Sequence, residues 1–357
     1  MAYTIQGQSC RGSTSLKWSP AGRIRLRLYG TRTCLPHTIR GIWMYFFDLH
    51  CDTVTEANQQ GRGLANAELQ LSVDRLPGAV WTQCFAIFMP DHLRGRAAVD
   101  YYEDNFHFFC RQLQKYADRM AQARTVREIS AANAAGRLAA VLTVEGGSAL
   151  AGELSRVRRL RECGVRMLTL TWNGANELAG GTAADPMAQG FTPFGRKAVA
   201  ALEDAGIIVD VSHLSDKAFW ELSDFARRSF VASHSNLRSV CDHPRNLTDD
   251  QFRRIVELGG LVGVNFYIRF LAPEGEPSFD GLAAHIERML LLGGEDAVAL
   301  GSDFDGADMP LWLASVGWIP QLYERLCRRF GNGITEKLFY RNAMRFFARY
   351  EQMGICW

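Results

Sequence analysis

The stretch MYFFDLHCDT, residues 44–53, combines a strand-like run with two side chains that can bind a metal. Its first half is aromatic, as in a buried strand, whereas its second half contains His50 and Asp52. Residues two apart on a strand point to the same face, so this imidazole and this carboxylate project together, about 6–7 Å apart. Because a His-x-Asp pair also occurs by chance at polar strand ends, the rest of the chain has to decide whether a metal site is present.

The composition is that of a large globular protein. The chain has 357 residues, of which 47% are hydrophobic and 22% are charged, enough for one barrel-sized domain or two smaller ones. Its nine cysteines form no C-x-x-C pair, which favours reduced thiols in a cytoplasmic protein over a disulfide framework. No apolar run approaches about 18 residues, so no transmembrane segment is predicted. The net charge of +2 gives no indication of nucleic-acid binding.

Residues 1–43 differ in charge from the rest of the chain. They contain seven basic residues and no acidic residue, a net charge of +7, against −5 for the residues that follow. No sustained helical period is present in them. We therefore expect Met44 to be the natural start, residues 1–43 to be a basic N-terminal extension from an over-long gene prediction or an appended tail, and residues 44–357 to form the domain.

Strand-like runs alternate with helix-period segments from Met44 onward. The eight strand-like runs are residues 44–53, 80–89, 139–147, 165–173, 207–214, 230–235, 261–267 and 297–306. The helical segments between them are residues 104–123, 126–136, 154–164, 194–206, 216–228, 248–260 and 279–294. This order predicts the α/β class and a (β/α)₈ TIM-type barrel of the metal-dependent hydrolase type. An open doubly wound sheet is the alternative, but it usually has a glycine-rich loop after its first strand, and DLHCDT is not one.

Polar residues follow six of the eight predicted strands, at the end where a barrel has its active site. They are His50, Asp52, Glu145, Trp172, Asn173, His213, His234, Asp303 and Asp305. Imidazole with carboxylate suits zinc, with manganese and iron as alternatives. Three histidines, an aspartate and a glutamate exceed the ligands of one catalytic zinc, and they divide over two ions if one carboxylate bridges.

The remaining histidines serve as internal controls. His37, His92, His107 and His285 lie away from the predicted strand ends, so we expect surface or packing roles for them. His243, in the loop CDHPRN, is a weaker candidate for a contact that supports the site.

The chain from Met44 onward resembles the membrane (renal) dipeptidase family, the M19 peptidases of the amidohydrolase superfamily. The resemblance rests on DLHCDT, TVEGG, LTLTWNGANELAGG, IIVDVSHLSD, VASHSNLRSVCDHPRNLTDDQ and GSDFDG, which occur in the family order. It implies a binuclear zinc dipeptidase that hydrolyses short peptides, including dipeptides with a C-terminal D-residue, through a metal-bridging hydroxide. A homodimer is compatible with such a dipeptidase.

The resemblance also implies a role for each matching residue. His50 and Asp52 would bind one zinc, His213 and His234 the second, and Glu145 would bridge both. Arg245 would receive the substrate's C-terminal carboxylate, because its guanidinium matches two carboxylate oxygens. Asp303 would carry the proton from water to the leaving amine. Asp305 is expected to support the loop. LTLTWN contains no lysine that could bridge the metals, which again favours Glu145.

Trp172 departs from the family pattern. Many members have a histidine here that is thought to hold the scissile carbonyl oxygen, whereas an indole can only donate one N–H. The Trp172 indole, Asn173 or Asn176 would then replace that donor, or turnover is lowered by about 10²–10³.

Two rival functions stay open from the sequence. One is a different hydrolase or a deaminase on the same barrel, acting on a lactam, a lactone or a nucleobase. Arg245 favours a substrate that carries a carboxylate and argues against a nucleobase. The other rival is a metal-stabilised binding protein without activity, against which the proton carrier Asp303 argues.

Overall fold

The computed structural model describes residues 44–78, 80–183 and 189–353. The predicted N-terminal extension and His37 lie outside the described residues. The described strands, all parallel to their neighbours, are β1 (Tyr45–Asp48), β2 (Val80–Phe88), β3 (Met120–Gln122), β4 (Leu138–Glu145), β5 (Val165–Thr169), β6 (Ile208–Asp210), β7 (Val231–Ala232), β8 (Leu261–Val264) and β9 (Val298–Leu300).

Eight of these strands close into a barrel. The ring order is β1, β2, β4, β5, β6, β7, β8, β9, and β9 pairs again with β1 through Asp48 and Leu300. Each of the eight predicted runs contributes one strand of this ring. The predicted (β/α)₈ barrel is therefore confirmed.

The described α-helices cover the outside of the barrel and one of its ends. Their bounds are α1 (Thr53–Gln59), α2 (Gly95–Lys115), α3 (Val126–Ala134), α4 (Ser155–Cys163), α5 (Pro193–Asp204), α6 (Asp216–Phe225), α7 (Asp249–Glu257), α8 (Ile268–Leu271), α9 (Phe279–Leu291), α10 (Ile319–Glu336) and α11 (Asn342–Gln352). None of the described helices has both the length and the apolar composition needed to cross a lipid bilayer.

The predicted helix 104–123 is wrong at both ends. The structure begins α2 at Gly95, because Tyr102 and Ala98 continue its buried face by one and two turns, respectively, towards the N-terminus. The helix ends at Lys115, and Tyr116 leaves the helical region with φ −115° and ψ 34°. The chain then turns and forms β3, which pairs with the start of β4 outside the closed ring. A helical period in the sequence does not indicate where such a tertiary pairing begins.

Helix α11 closes the N-terminal end of the barrel. Its residues Ala343, Phe346, Phe347 and Tyr350 are buried at helical spacing. They pack in one apolar cluster with residues of all eight ring strands, among them Phe47, Cys84, Val141, Met167, Ile208, Val231, Leu261 and Ala299. Each of these residues lies before the C-terminal end of its own strand, where six of the strands are followed by the predicted polar residues. The other end of the barrel is therefore where the polar residues meet.

Candidate metal centre and substrate pocket

Six predicted site residues meet at the C-terminal end of the barrel, and all are buried: His50, Asp52, Glu145, His213, His234 and Asp303. The Nε2 atom of His50 lies 3.3 Å from Asp52 Oδ2 and 3.5 Å from Glu145 Oε2. It also lies 3.8 Å from Asp303 Oδ1. His50 and Asp52 are close together as predicted, but not as neighbours on a strand face, because β1 ends at Asp48 and Asp52 already caps the start of α1.

The two carboxylate oxygens of Glu145 face different histidine nitrogen atoms. Its Oε2 faces His50, whereas its Oε1 lies 2.8 Å from His213 Nε2 and 3.5 Å from His234 Nε2. Glu145 is the last residue of β4, and its backbone pairs with Phe88 on one side and Thr169 on the other. The barrel thus fixes this carboxylate between the histidine of β1 and the two histidines that follow β6 and β7.

Hydrogen bonds set the tautomers of two histidines. The Nδ1 of His213 lies 2.8 Å from Asn173 Oδ1, which can only accept. The Nδ1 of His234 lies 2.7 Å from Ser233 Oγ, whose hydroxyl donates to Asp210 at 2.6 Å. Both imidazoles therefore donate through Nδ1, and their Nε2 atoms carry lone pairs. Metal-binding histidines are oriented in this way by their other ring nitrogen.

The two Nε2 atoms face each other at 2.9 Å, next to Glu145 Oε1. Lone pairs and a carboxylate oxygen at these distances repel one another unless a cation lies among them. Asp52 Oδ1 is a further buried acceptor without a hydrogen-bond partner in the described chain. Close by, a side chain at Gly306 would collide with Asp52 and would lie 2.7 Å from Asp303 Oδ1. The residues present therefore fit bound divalent cations.

Burial and neighbouring charges shift the pKa values of this cluster. Burial and the nearby Arg245 lower the pKa of His213 to about 3, and burial and His50 lower the pKa of His234 well below its usual value. Neutral imidazole is the form that binds a metal. Burial and the charge of Glu145 raise the pKa of Asp52 to about 7. Carboxylates that repel each other in this way gain most from a cation.

The backbone is strained at the site. Four described residues other than glycine have a positive φ, and three of them belong to this end of the barrel: His213 at 68°, Asp303 at 66° and Asp305 at 65°. The fourth is Ala151. Left-handed backbone costs energy for residues with a Cβ, and it concentrates at functional sites because the surrounding structure maintains it.

Asp303 and Asp305 have different surroundings. Asp303 accepts a hydrogen bond of 2.9 Å from Asn265 through Oδ2, while its Oδ1 faces His50. Asp305 accepts from Thr53 Oγ1 at 2.6 Å and from the backbone N–H groups of Gln70 and Leu71. It therefore fastens the loop after α1 to the barrel, as expected of a residue that supports the loop.

An open pocket of about 910 Å³ lies above the cluster, and Arg245 forms part of its wall. The Arg245 side chain is buried, stands 5.3 Å over the Phe270 ring, and has no hydrogen-bond partner for Nε and Nη2 among the described residues. Burial lowers the pKa of Arg245 to about 10, so the guanidinium stays charged at neutral pH. A buried cation without a paired carboxylate among the described residues is suited to bind an anionic group.

The structure distinguishes among the three proposed replacements for the family histidine. Trp172 and Asn173 line the pocket, although Asn173 Oδ1 already contacts His213. Asn176 is a turn residue instead: its amide donates to the Leu170 carbonyl and accepts from the Leu178 N–H. Its side chain is therefore not available as a substrate donor.

The supporting roles of two acidic residues were missed by the sequence reasoning. Asp210 accepts from Thr169 Oγ1, Ser233 Oγ and the backbone N–H of Ser233, and thereby holds the residue that orients His234. Asp48 accepts from the Ser302 N–H and hydroxyl at the end of β9. A signal existed for both, because each is an acidic residue two positions before a polar residue at a strand end.

The control histidines behave largely as expected. His243 lines the pocket, and its Nδ1 accepts from the backbone N–H of Arg245 at 3.1 Å, so it supports the loop that carries the guanidinium. His285 is fully buried in α9, where its Nδ1 accepts from the Leu237 N–H at 3.2 Å. His92 and His107 do not line the pocket.

The barrel and its cluster of histidines and carboxylates define a metal-dependent hydrolase. Residues 43–354 match the model of the membrane dipeptidase family, peptidase family M19, and the chain belongs to this family. The predicted family and the prediction of a metal-dependent peptide hydrolase are therefore confirmed.

Two curated relatives illustrate this membership. An uncharacterized protein in the pqqA 5′ region of Klebsiella pneumoniae is 36% identical over 218 residues, which cover 58% of this chain and 80% of that protein. Dipeptidase 3 of Rattus norvegicus is 28% identical over 301 residues, which cover 80% of this chain and 59% of that protein. The match with the rat protein thus leaves about two fifths of its length without a counterpart.

A solved structure has the same fold over almost its whole length. It is a metallo peptidase from Rhodobacter sphaeroides liganded with a phosphinate mimic of the dipeptide L-Ala-D-Ala. The TM-score is 0.81 at 25% identity, and the alignment covers 86% of this chain and 99% of that one.

Proposed function

We propose that this chain is a binuclear zinc dipeptidase that hydrolyses short peptides with a free C-terminal carboxylate. The observation that carries the proposal is the position of the Glu145 carboxylate. One of its oxygens faces His50, and the other faces His213 and His234. One carboxylate between two sets of imidazoles is the arrangement expected of a bridging ligand.

The donor atoms favour zinc. His50 and Asp52 would hold one ion, His213 and His234 the other, and Glu145 both. Each ion would then have three protein ligands, and a catalytic zinc typically has three protein ligands and one open position. When bound, two such cations activate a water molecule and polarise the carbonyl group of the scissile bond.

Asp303 is suited to move the proton. We call His50, Asp52, Glu145, His213 and His234 the ligand cluster. Asn265 holds Oδ2 of Asp303, and Oδ1 lies 3.8 Å from His50 Nε2, at the edge of this cluster and in the wall of the pocket. Burial raises the pKa of Asp303, which brings this carboxyl closer to the pH at which proton transfer in both directions is efficient. We assign it the transfer of a proton to the leaving amine.

Arg245 supplies the recognition of the substrate. Its guanidinium, whose Nε and Nη2 have no partner in the described part of the chain, borders the same pocket as Glu145 and Asp303. A carboxylate bound there would bring the adjoining peptide bond near the ligand cluster. The Rhodobacter sphaeroides structure binds a dipeptide mimic, which supports a dipeptide as the substrate here. A lactam or lactone that carries a carboxylate remains the rival, and the substrate panel below separates the two.

The experiment is an assay of purified, zinc-supplemented protein on L-L and L-D dipeptides, on the same dipeptides with an amidated C-terminus, and on a carboxylate-bearing lactam and lactone. We expect hydrolysis of the free dipeptides and little turnover of the others. Turnover of the lactam or lactone without dipeptide hydrolysis would favour the rival.

We also propose a reducing, cytoplasmic location. The six described cysteines, at positions 51, 84, 110, 163, 241 and 327, are all free thiols. Reduced cysteines in this number are typical of that compartment.

A further inference from the structure

Two aromatic side chains form one wall of the pocket. The rings of Phe88 and Trp172 meet edge to face, with their centroids 5.0 Å apart and an interplanar angle of 77°. Both side chains line the pocket and are partly exposed in it. We call this pair the aromatic wall. It has no role in the ligand cluster, since neither side chain can bind a metal.

The aromatic wall borders the ligand cluster directly. Phe88 is the last residue of β2 and is in register with Glu145 on β4. The Trp172 ring lies 6.4 Å from that of His213, between centroids. A group that touches this wall is therefore next to the peptide bond that the cluster would cleave.

Arg245 lies in the loop between β7 and α7 and lines the same pocket. It follows β7, and β7 is four strands away from β2 in either direction around the eight-strand ring. Phe88, at the end of β2, is therefore on the opposite side of the ring from β7, the strand that precedes Arg245. A dipeptide held by its carboxylate at Arg245 and extended across the cluster would bring its N-terminal residue towards β2, where Phe88 lies.

We propose that the aromatic wall selects dipeptides whose N-terminal residue has a large apolar side chain. The inference rests on the proposed dipeptidase function and adds the class of its substrate. A leucyl or phenylalanyl side chain loses contact with water when it packs on the two rings, whereas glycine gains nothing there. The preference belongs to the N-terminal residue, because the C-terminal residue is on the Arg245 side of the scissile bond.

The test compares phenylalanyl-alanine, leucyl-alanine and glycyl-alanine by kcat/KM in the zinc-supplemented protein. The wild type should prefer the first two. Because one large apolar contact discriminates by about 10–200-fold, Trp172→Ala and Phe88→Ala should each reduce the preference about tenfold or more. In Phe88→Ala the loss should be mainly in KM for the apolar substrates, with glycyl-alanine little affected. Trp172→Ala should also lower kcat for all three dipeptides, because its indole is a candidate donor to the scissile carbonyl oxygen.

Three further variants keep the result interpretable. Trp172→Phe retains a ring but has no indole N–H, so it should keep most of the preference. Phe88→Leu retains an apolar surface and should lie between the wild type and Phe88→Ala. Trp220→Ala removes a tryptophan on α6 that is 39% exposed and lies outside the pocket, and it should change nothing.

The outcomes separate this inference from the proposed function. Hydrolysis of all three dipeptides with equal kcat/KM in the wild type, or an unchanged preference in both alanine variants with normal metal content, would overturn the inference alone. Absence of hydrolysis of any dipeptide by the metal-loaded wild type would overturn the proposed function and the inference with it.

Discussion

The side-chain amide of Asn265 donates a 2.9 Å hydrogen bond to Asp303 Oδ2, and both side chains are buried. The same amide nitrogen lies 3.3 Å from the backbone carbonyl of His234, and Asn265 Oδ1 accepts from the Tyr267 N–H. The amide thus connects the ends of β7, β8 and β9. It fixes which oxygen of Asp303 faces His50, although Asn265 is not among the residues that line the pocket.

Replacing Asp303 by asparagine should remove the proton carrier and leave the fold intact. An amide oxygen can still accept from Asn265, so the thermal midpoint should change little, while turnover of dipeptides should fall by roughly 10²–10⁴. The measurements are a thermal melt and kcat. Asp305→Asn is the matched control, because Asp305 fastens a loop and should affect stability more than turnover. Near wild-type turnover in Asp303→Asn would make Asp305 the candidate instead.

Replacing Arg245 by alanine should damage substrate binding far more than metal binding. Nε and Nη2 of the guanidinium have no partner among the described residues, so its removal leaves no paired carboxylate there and the protein should stay folded. Loss of a buried charge contact with the substrate should reduce kcat/KM about 10²–10³-fold. Amidation of the substrate's C-terminus should harm the wild type to a similar degree and should add little further harm to Arg245→Ala. Equal hydrolysis of acid and amide substrates by the wild type would contradict this role.

His285 should make stability fall on mild acidification. Burial lowers the pKa of His285 to about 4, against about 6.5 in an unfolded chain. Between these values the unfolded state binds the proton and the folded state does not, so stability decreases as the pH falls from about 6.5 towards 4. His285→Gln retains an acceptor for the Leu237 N–H but does not titrate. The loss of unfolding free energy between pH 7 and pH 5 should be roughly 2 kcal/mol smaller in this variant; equal losses would show that the imidazole is not the cause.

A chain that begins at Met44 should express, bind metal and hydrolyse dipeptides as well as the full chain. The family match begins at residue 43, and α11 already closes the N-terminal end of the barrel. Metal content and kcat/KM of the two chains are the measurements. An insoluble or inactive Met44 chain would show that residues 1–43 contribute to the fold or to an assembly.

The barrel and its ligand cluster could be predicted from the sequence because both depend on local patterns. Each buried strand is a short apolar run, and His50, Glu145 and His213 each lie at the end of such a run. In a parallel barrel these ends meet, so one-dimensional positions already predict a three-dimensional cluster.

Contacts that hold the ligands in place could not be predicted in the same way. Asn265 and Asp303 are 38 positions apart, and Asp210 and Ser233 are 23 apart. Their pairing depends on the register of neighbouring strands, which the pattern of apolar residues does not specify. The same reason applies to β3, whose position beside β4 is a tertiary pairing inside a segment with a helical period.

The bridging role of Glu145 is tested most directly by metal analysis of purified protein after loading with zinc and removal of free ions. The wild type should contain about two zinc ions per chain. Glu145→Gln, in which an NH2 group replaces one carboxylate oxygen, should contain clearly fewer. His285→Gln, a change at a buried histidine away from the cluster, should retain both ions. One ion per chain in the wild type, unchanged in Glu145→Gln, would contradict the two-metal centre.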